Sequence, residues 1–176
     1  MNREPPSSAG GEPSGIGIRR DGVSWIALRV HATSVAIARR FTADVVSDGI
    51  RSPEHAYNVA VVVSELVTNG LRAAADLVAE GLADQWRHHD RPVRLGVEVT
   101  RRWTQVSVVD PDPRPLRPVD PDNSLAEGGR GLHIVDVLSA SCWVVYGREG
   151  KTIHAVLAAP GVELTPAERA ALQRPR

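Results

Sequence analysis

The chain is short of cysteine, of net charge and of long apolar runs, and each shortage closes off a class of protein. Cys142 is the only cysteine in 176 residues. It cannot form an internal disulfide, and its place in an apolar strand pattern reads as an inert core thiol. The 21 Lys and Arg balance the 21 Asp and Glu, so no cationic excess exists to make a nucleic-acid surface. Arg39-Arg40 and Arg101-Arg102 read as solvated pairs. Residues 1–22 contain no apolar run long enough for a signal peptide or a membrane span, which makes a cytoplasmic location the expectation and a membrane no partner. His88 and His89 have no cysteine or carboxylate at ligand spacing and read as surface residues rather than a metal site. No internal repeat is visible.

What is present suits one domain. With 42% hydrophobic residues the chain can bury one substantial core and is too short for two ordinary domains. Residues 1–22, rich in Pro, Gly and Ser, read as a disordered tail, residues 23–160 as the domain, and residues 161–176 as a C-terminal helix and tail. A strand is expected around Ser24 to Val30, then a helix capped by Thr33 carrying Val35, Ala38 and Phe41. Ser52-Pro53-Glu54 starts a long helix whose buried stripe is Val59, Val62, Val63, Leu66 and Ala73. Residues 93–99 alternate with period two, Arg101-Arg102 turns, and Trp103 to Val109 returns. A glycine-started helix carries Leu132, Ile134, Val135 and Leu138, and a strand pair follows at Cys142 to Tyr146 and Thr152 to Leu157. Thr165-Pro166-Ala167-Glu168 caps a last short helix. Strands in antiparallel pairs with helices between them indicate an α+β two-layer sandwich, its sheet mixed but mainly antiparallel and its helices on one face.

Four segments carry chemistry. Glu65 and Asn69, four apart at the margin of the buried stripe, share one helical face one turn apart. The carboxylate can take a proton and the amide oxygen can ligate a hard cation; alone, the same pair is equally a solvated Glu and an idle Asn. Asp110 closes a strand before a proline-rich loop, where it is either a turn residue or a buried acceptor for the amine of a base. Gly128-Gly129-Arg130-Gly131 opens a helix and exposes free amides at the positive end of its dipole, a natural phosphate cradle unless it is merely a flexible turn. Two tempting motifs fail: Ile134 stands where the third glycine of a dinucleotide fingerprint belongs, and Val145 where the first glycine of a P-loop would precede Gly150-Lys151-Thr152.

Taken in order, Glu65-Leu-Val-Thr-Asn69, Asp110-Pro-Asp112-Pro, Gly129-Arg-Gly131-Leu-His-Ile-Val-Asp136 and Gly150-Lys-Thr152 resemble the nucleotide-binding boxes of the GHKL (Bergerat-fold) ATPase superfamily. The likeness is to its anti-sigma-factor serine kinase branch and spans roughly residues 24 to 158. It implies a histidine kinase/Hsp90-like ATPase fold that binds ATP with Mg2+. By this resemblance Glu65 is the general base, Asn69 the magnesium ligand and Asp110 the acceptor for the adenine amine. Gly129 and Gly131 line the phosphates, Arg130 and Leu132 belong to the same nucleotide site, and Thr152 supports the adenine end. The implied partners are a sigma factor or an anti-anti-sigma-like protein, with a homodimer open.

Three departures stand out. Asp112 occupies the position of a usual glycine, where its charge hinders nucleotide binding unless it turns outward. Gly70 replaces a commoner alanine and is expected to loosen the helix by roughly 1 kcal/mol. Residues 76–91 form an insertion in which Leu77, Val78, Leu82 and Trp86 suggest a short extra helix that covers the core or receives a partner. The leading function is an ATP-dependent serine protein kinase regulating a partner. The alternative is a nucleotide-binding module that acts by binding alone. The catalytic part of a histidine kinase is not expected, for want of a dimerisation helix pair. The prolines, acids and glycines of residues 111–127 give little apolar anchorage and suggest a lid that orders around nucleotide.

Overall fold

The computed structural model describes residues 18–20, 22–49, 52–82, 93–116, 130–147 and 150–174. The expectations placed on Trp86, His88, His89, Gly128 and Gly129 lie outside these residues, as does most of the expected lid.

The longest element grows from the strongest start signal. Ser52 caps α2 (Pro53–Ala79), its hydroxyl accepting from the His55 amide at 3.3 Å, with Pro53 in the first turn beside Glu54. Val59, Val62, Val63 and Leu66 are wholly buried, and Ala74 rather than Ala73 continues the stripe. The helix then runs further than expected. Gly81, at φ +66°, ends it: its N–H bonds the Val78 carbonyl at 3.1 Å, and the Leu82 N–H bonds the Leu77 carbonyl at 3.1 Å. That paired closure needs a left-handed residue, which glycine supplies without strain. Leu77 and Val78 therefore belong to the last turn of α2, not to a separate helix in the insertion. Leu77 is buried and Val78 is 63% exposed.

Among the described residues six strands make one sheet: β1 (Ile18–Arg20), β2 (Val23–Leu28), β3 (Val93–Val99), β4 (Trp103–Asp110), β5 (Ser141–Gly147) and β6 (Gly150–Ala158). They lie in the order β1-β2-β3-β4-β6-β5, and every adjacent pair is antiparallel. Among the described strands the pairing is thus antiparallel, in line with the expected mainly antiparallel sheet of an α+β sandwich. β1 falls inside the expected tail, which therefore does not extend to residue 22; Gly22, at φ +84°, turns the chain back into β2.

Three helices, α1 (Ser34–Ser47), α2 and α3 (Arg130–Leu138), cover one face. Alternate residues of β2, β3, β4 and β6 point at them: Ile26 and Leu28, Val93, Leu95 and Val97, Val106 and Val108, Ile153, Ala155 and Leu157 form one core with the α2 stripe. Burying each such Val or Leu contributes roughly 1.5–3 kcal/mol. Gly70 sits at the closest approach of α2 to the sheet, where a Cβ would stand 3.2 Å from Val93 Cγ1 and 3.5 Å from Val108 Cγ1. The missing side chain lets the layers close, which offsets the helix propensity lost there.

The opposite face carries a row of cross-strand neighbours, Trp25, Gly96, Ser107, His154 and Trp143. The Trp25 ring lies over Gly96, and His154 stacks on Trp143 at 4.9 Å while its Nδ1 meets the Ser107 hydroxyl at 2.9 Å. Cys142, expected in the core, is exposed. It shares its face with Val144, which packs against the core, but β5 is an edge strand and Cys142 does not join that core. Thr33 precedes α1, yet its hydroxyl bonds His31 Nδ1 at 2.8 Å instead of capping the helix. The last helix, α4 (Pro166–Leu172), starts in the expected Thr165/Glu168 capping box, and Glu168 also pairs with Arg102 at 3.0 Å.

Candidate functional site

The helix-covered layer brings the expected residues together at two places along α2. At the first, α3 begins against the middle of α2. Glu65 and Asn69 face Gly131, and a Cβ built on Gly131 would collide with Glu65 Oε2 and lie 3.5 Å from Asn69 Nδ2. The absent side chain of Gly131 leaves the Glu65 carboxylate room against the first turn of α3. The positive end of the α3 dipole therefore lies beside a carboxylate and an amide. Asn69 Nδ2 is buried without a hydrogen-bond partner among the described residues. A buried unsatisfied amide costs about 1–3 kcal/mol, so such a group is commonly completed by a ligand or ion. Oxygen and nitrogen of the amide are interchangeable by a flip, so either can face the incoming group. Leu132 packs into the core behind this turn, and Arg130, the first residue of α3, is exposed.

At the second place, β4 ends and its loop folds over the C-terminal half of α2. Asp110 is 3% exposed. Its Oδ1 accepts the Asp112 amide at 2.8 Å, and its Oδ2 pairs with Lys151 Nζ at 2.8 Å, both side chains being 4% exposed. Lys151 Nζ also donates to the Asp112 carbonyl at 2.8 Å. Burial pushes the Asp110 carboxyl above its ordinary value, against the pull of Lys151 and the Asp112 amide. Gly150, at φ +122°, passes so near the Asp110 carbonyl and Pro111 that a Cβ there would overlap the backbone. The close approach of β6 to the end of β4, which seats Lys151, depends on it.

Asp112 was expected to hinder nucleotide binding unless its charge turned outward. It is instead 6% exposed and neutralised inside: Arg114 Nε bonds its two carboxylate oxygens at 2.9 and 3.0 Å. Burial alone would raise its carboxyl, but the Arg114 bonds outweigh burial and hold it below its ordinary value. Arg114 continues to Glu80 at 2.8 Å, so the loop is tied to the C-terminal end of α2.

Thr152 is not brought to this group. Strand alternation puts it on the opposite face, paired with Val109 and Val145, while Lys151 pairs with Asp110 on the helix side. Lys151 is the residue that reading the boxes overlooked. Its signal was in the chain: Ile153, Ala155 and Leu157 are the inward positions of β6, and Lys151 is in phase with them.

The family model for the histidine kinase-like ATPase domain matches residues 28–157, well over half of the chain, and the protein belongs to that family. Among solved structures it is similar to the RsbU and RsbW domains of Rv1364c from Mycobacterium tuberculosis, with 14% identity and a TM-score of 0.50 over 81% of this chain and 34% of that one. The chain thus spans about a third of that structure, and a likeness at this identity concerns the fold. No curated protein matches the sequence. Among the described residues no helix is long and apolar enough to cross a membrane.

Proposed function

We propose that this domain binds ATP with magnesium in the layer between α2, α3 and the end of β4, and transfers the γ-phosphate to a serine of a partner regulator, in the manner of an anti-sigma-factor kinase. The observation that carries the reading is the meeting of Gly131 with Glu65 and Asn69, in which a buried Asn69 amide has no partner among the described residues. The residues fit the nucleotide at both ends: a helix N-terminus beside an amide ligand for the phosphates, and a buried carboxylate, Asp110, for the base. Asn69 would hold the magnesium, which supplies charge neutralisation on the phosphate oxygens. Glu65 takes the proton of the serine hydroxyl as its oxygen bonds to the γ-phosphorus and the bond to the ADP oxygen breaks. The partners proposed are a sigma factor or an anti-anti-sigma-like protein met in the cytoplasm.

A second reading, a module that binds nucleotide and partner without transfer, is favoured by one observation: both carboxylate oxygens of Asp110 are already engaged. Titration with magnesium ATP, and phosphate transfer from labelled ATP to a co-purifying partner, separate the two. Glu65→Gln keeps reach and hydrogen bonding but not basicity, so binding survives while transfer falls roughly a hundredfold or more. Equal transfer by wild type and variant removes Glu65 as the base. Tight ATP binding with no transfer to any partner leaves the binding module, and no binding at millimolar ATP removes both.

A further inference from the structure

The base end of the site contains a charge that no part of the nucleotide reading uses. Lys151 is buried to the same degree as Asp110, and its ammonium lies on the helix side of the sheet, where a base would meet Asp110. An ammonium has three N–H donors, and the described residues use two of them, on Asp110 Oδ2 and on the Asp112 carbonyl. A carboxylate offers about four lone-pair directions, of which Asp112 N–H and Lys151 take one each. What remains is one donor directly beside free acceptor positions. Adenine carries the complement on one edge: an amine that donates, next to a ring nitrogen that accepts.

We propose that Lys151 is a base-reading residue, donating to the ring nitrogen adjacent to the adenine amine while Asp110 accepts from the amine itself. This rests on the nucleotide reading of the site and adds to it the residue that sets base specificity. The engagement of Asp110 by Lys151 is then part of the reading head and not an obstruction. Gly150 and the Arg114 clamp on Asp112 have a matching role, since they hold Lys151 and the Asp112 carbonyl in register.

The test is a double-mutant cycle on binding, read by titration and independent of any activity. Wild type is compared with Lys151→Met for ATP and for 1-deaza-ATP, which replaces the accepting ring nitrogen by CH and keeps the amine. A hydrogen bond to a charged donor is worth roughly ten- to a hundredfold in affinity, so wild type should discriminate against the deaza analogue by that factor and Lys151→Met should not discriminate. Lys151→Gln, which keeps a donor, should retain part of the discrimination. A purely structural ion pair would lower the affinity of Lys151→Met for both nucleotides alike. Equal wild-type affinity for ATP and 1-deaza-ATP overturns the proposal even if Lys151→Met does not fold. Full discrimination in Lys151→Met overturns it too, and GTP binding more tightly than ATP overturns the choice of adenine. Absence of binding by every nucleotide refutes the underlying site, which is a different result from binding without discrimination.

Discussion

The two ends of the site solve the same problem, a polar group inside the helix-sheet layer, in opposite ways. Where α3 meets α2, Asn69 Nδ2 is left without a partner among the described residues and Gly131 brings only backbone to its side. Where β4 ends, Asp110, Lys151, Asp112, Arg114 and Glu80 form an unbroken chain of ion pairs and hydrogen bonds. One end keeps polar capacity open at a cost in stability, and the other spends much of its capacity on the fold while leaving one ammonium donor beside open carboxylate positions. A ligand should accordingly act as the missing partner at the first end and as an addition to an existing network at the second.

That contrast is most easily broken by substitution at the ion-paired end. Lys151→Met leaves Asp110 buried without its cation, and losing one member of a buried pair costs about 3–5 kcal/mol. The low end of the range is expected, because burial already raises the Asp110 carboxyl and a proton can take over from the ammonium. Chemical denaturation near neutral pH should show the loss, and it should shrink toward acid pH. A variant as stable as wild type would mean that Lys151 is not packed into the network.

The unsatisfied end predicts a different signature. Asn69→Ala removes a buried amide whose Nδ2 has no partner among the described residues and puts the best helix former in its place, so stability should change by less than about 0.5 kcal/mol or rise slightly. Magnesium ATP binding should nevertheless weaken by at least roughly tenfold. Stability lost without any effect on binding would reverse the roles assigned to the two ends. A smaller effect belongs to the rim of the network: Arg114→Ala should cost about 1 kcal/mol, because Arg114 is 42% exposed and its pair with Glu80 is screened by water, though Asp112 is buried. A loss as large as that of Lys151→Met would show that the clamp, not the ion pair, holds the base end.

Much of this layout could be read from the chain. The alternation of residues 93–99 and 103–109, the Ser52-Pro53-Glu54 start and the Thr165/Glu168 box are local signals, and local physics decides them. Glu65, Asn69 and Gly131 meet as a four-residue spacing and a glycine-opened helix imply. Tertiary context accounts for what was missed. Gly81 was read as part of an insertion although a lone glycine after a long apolar stripe is a stop signal. The fate of Asp112 depended on Arg114 and Glu80, the latter 32 residues earlier in the chain. Choosing Thr152 over Lys151 came from reading a box residue by residue without asking which face of β6 each residue presents, and a lysine in phase with an apolar strand face signals a buried partner.

The smallest expected effect lies away from both ends and asks whether the sheet's two faces respond to acid in the same direction. His55 is 5% exposed on the helix side, its Nε2 2.9 Å from the Thr104 hydroxyl; His154 lies on the other face between Ser107 and Trp143. Burial lowers both imidazoles from the ordinary 6.5, for His55 against a weaker opposing bond to the Ala158 backbone. Above pH 6.5 both rings are neutral whether the chain is folded or not, and their contribution is complete. As pH falls below 6.5 the unfolded chain takes up protons that the folded chain resists, so stability is lost until the lowered values are reached. Asp110, raised by burial, works in the opposite sense, so the net slope alone is ambiguous and the variants decide. Between about pH 7 and about pH 5.5 each histidine should contribute no more than about 1 kcal/mol to the fall. Urea midpoints for wild type, His55→Gln and His154→Gln measure it: each variant should be flatter with pH than wild type. Slopes unchanged in both variants would show that neither ring is held neutral by its face of the sheet, and a change confined to His55→Gln would restrict the effect to the helix-covered side.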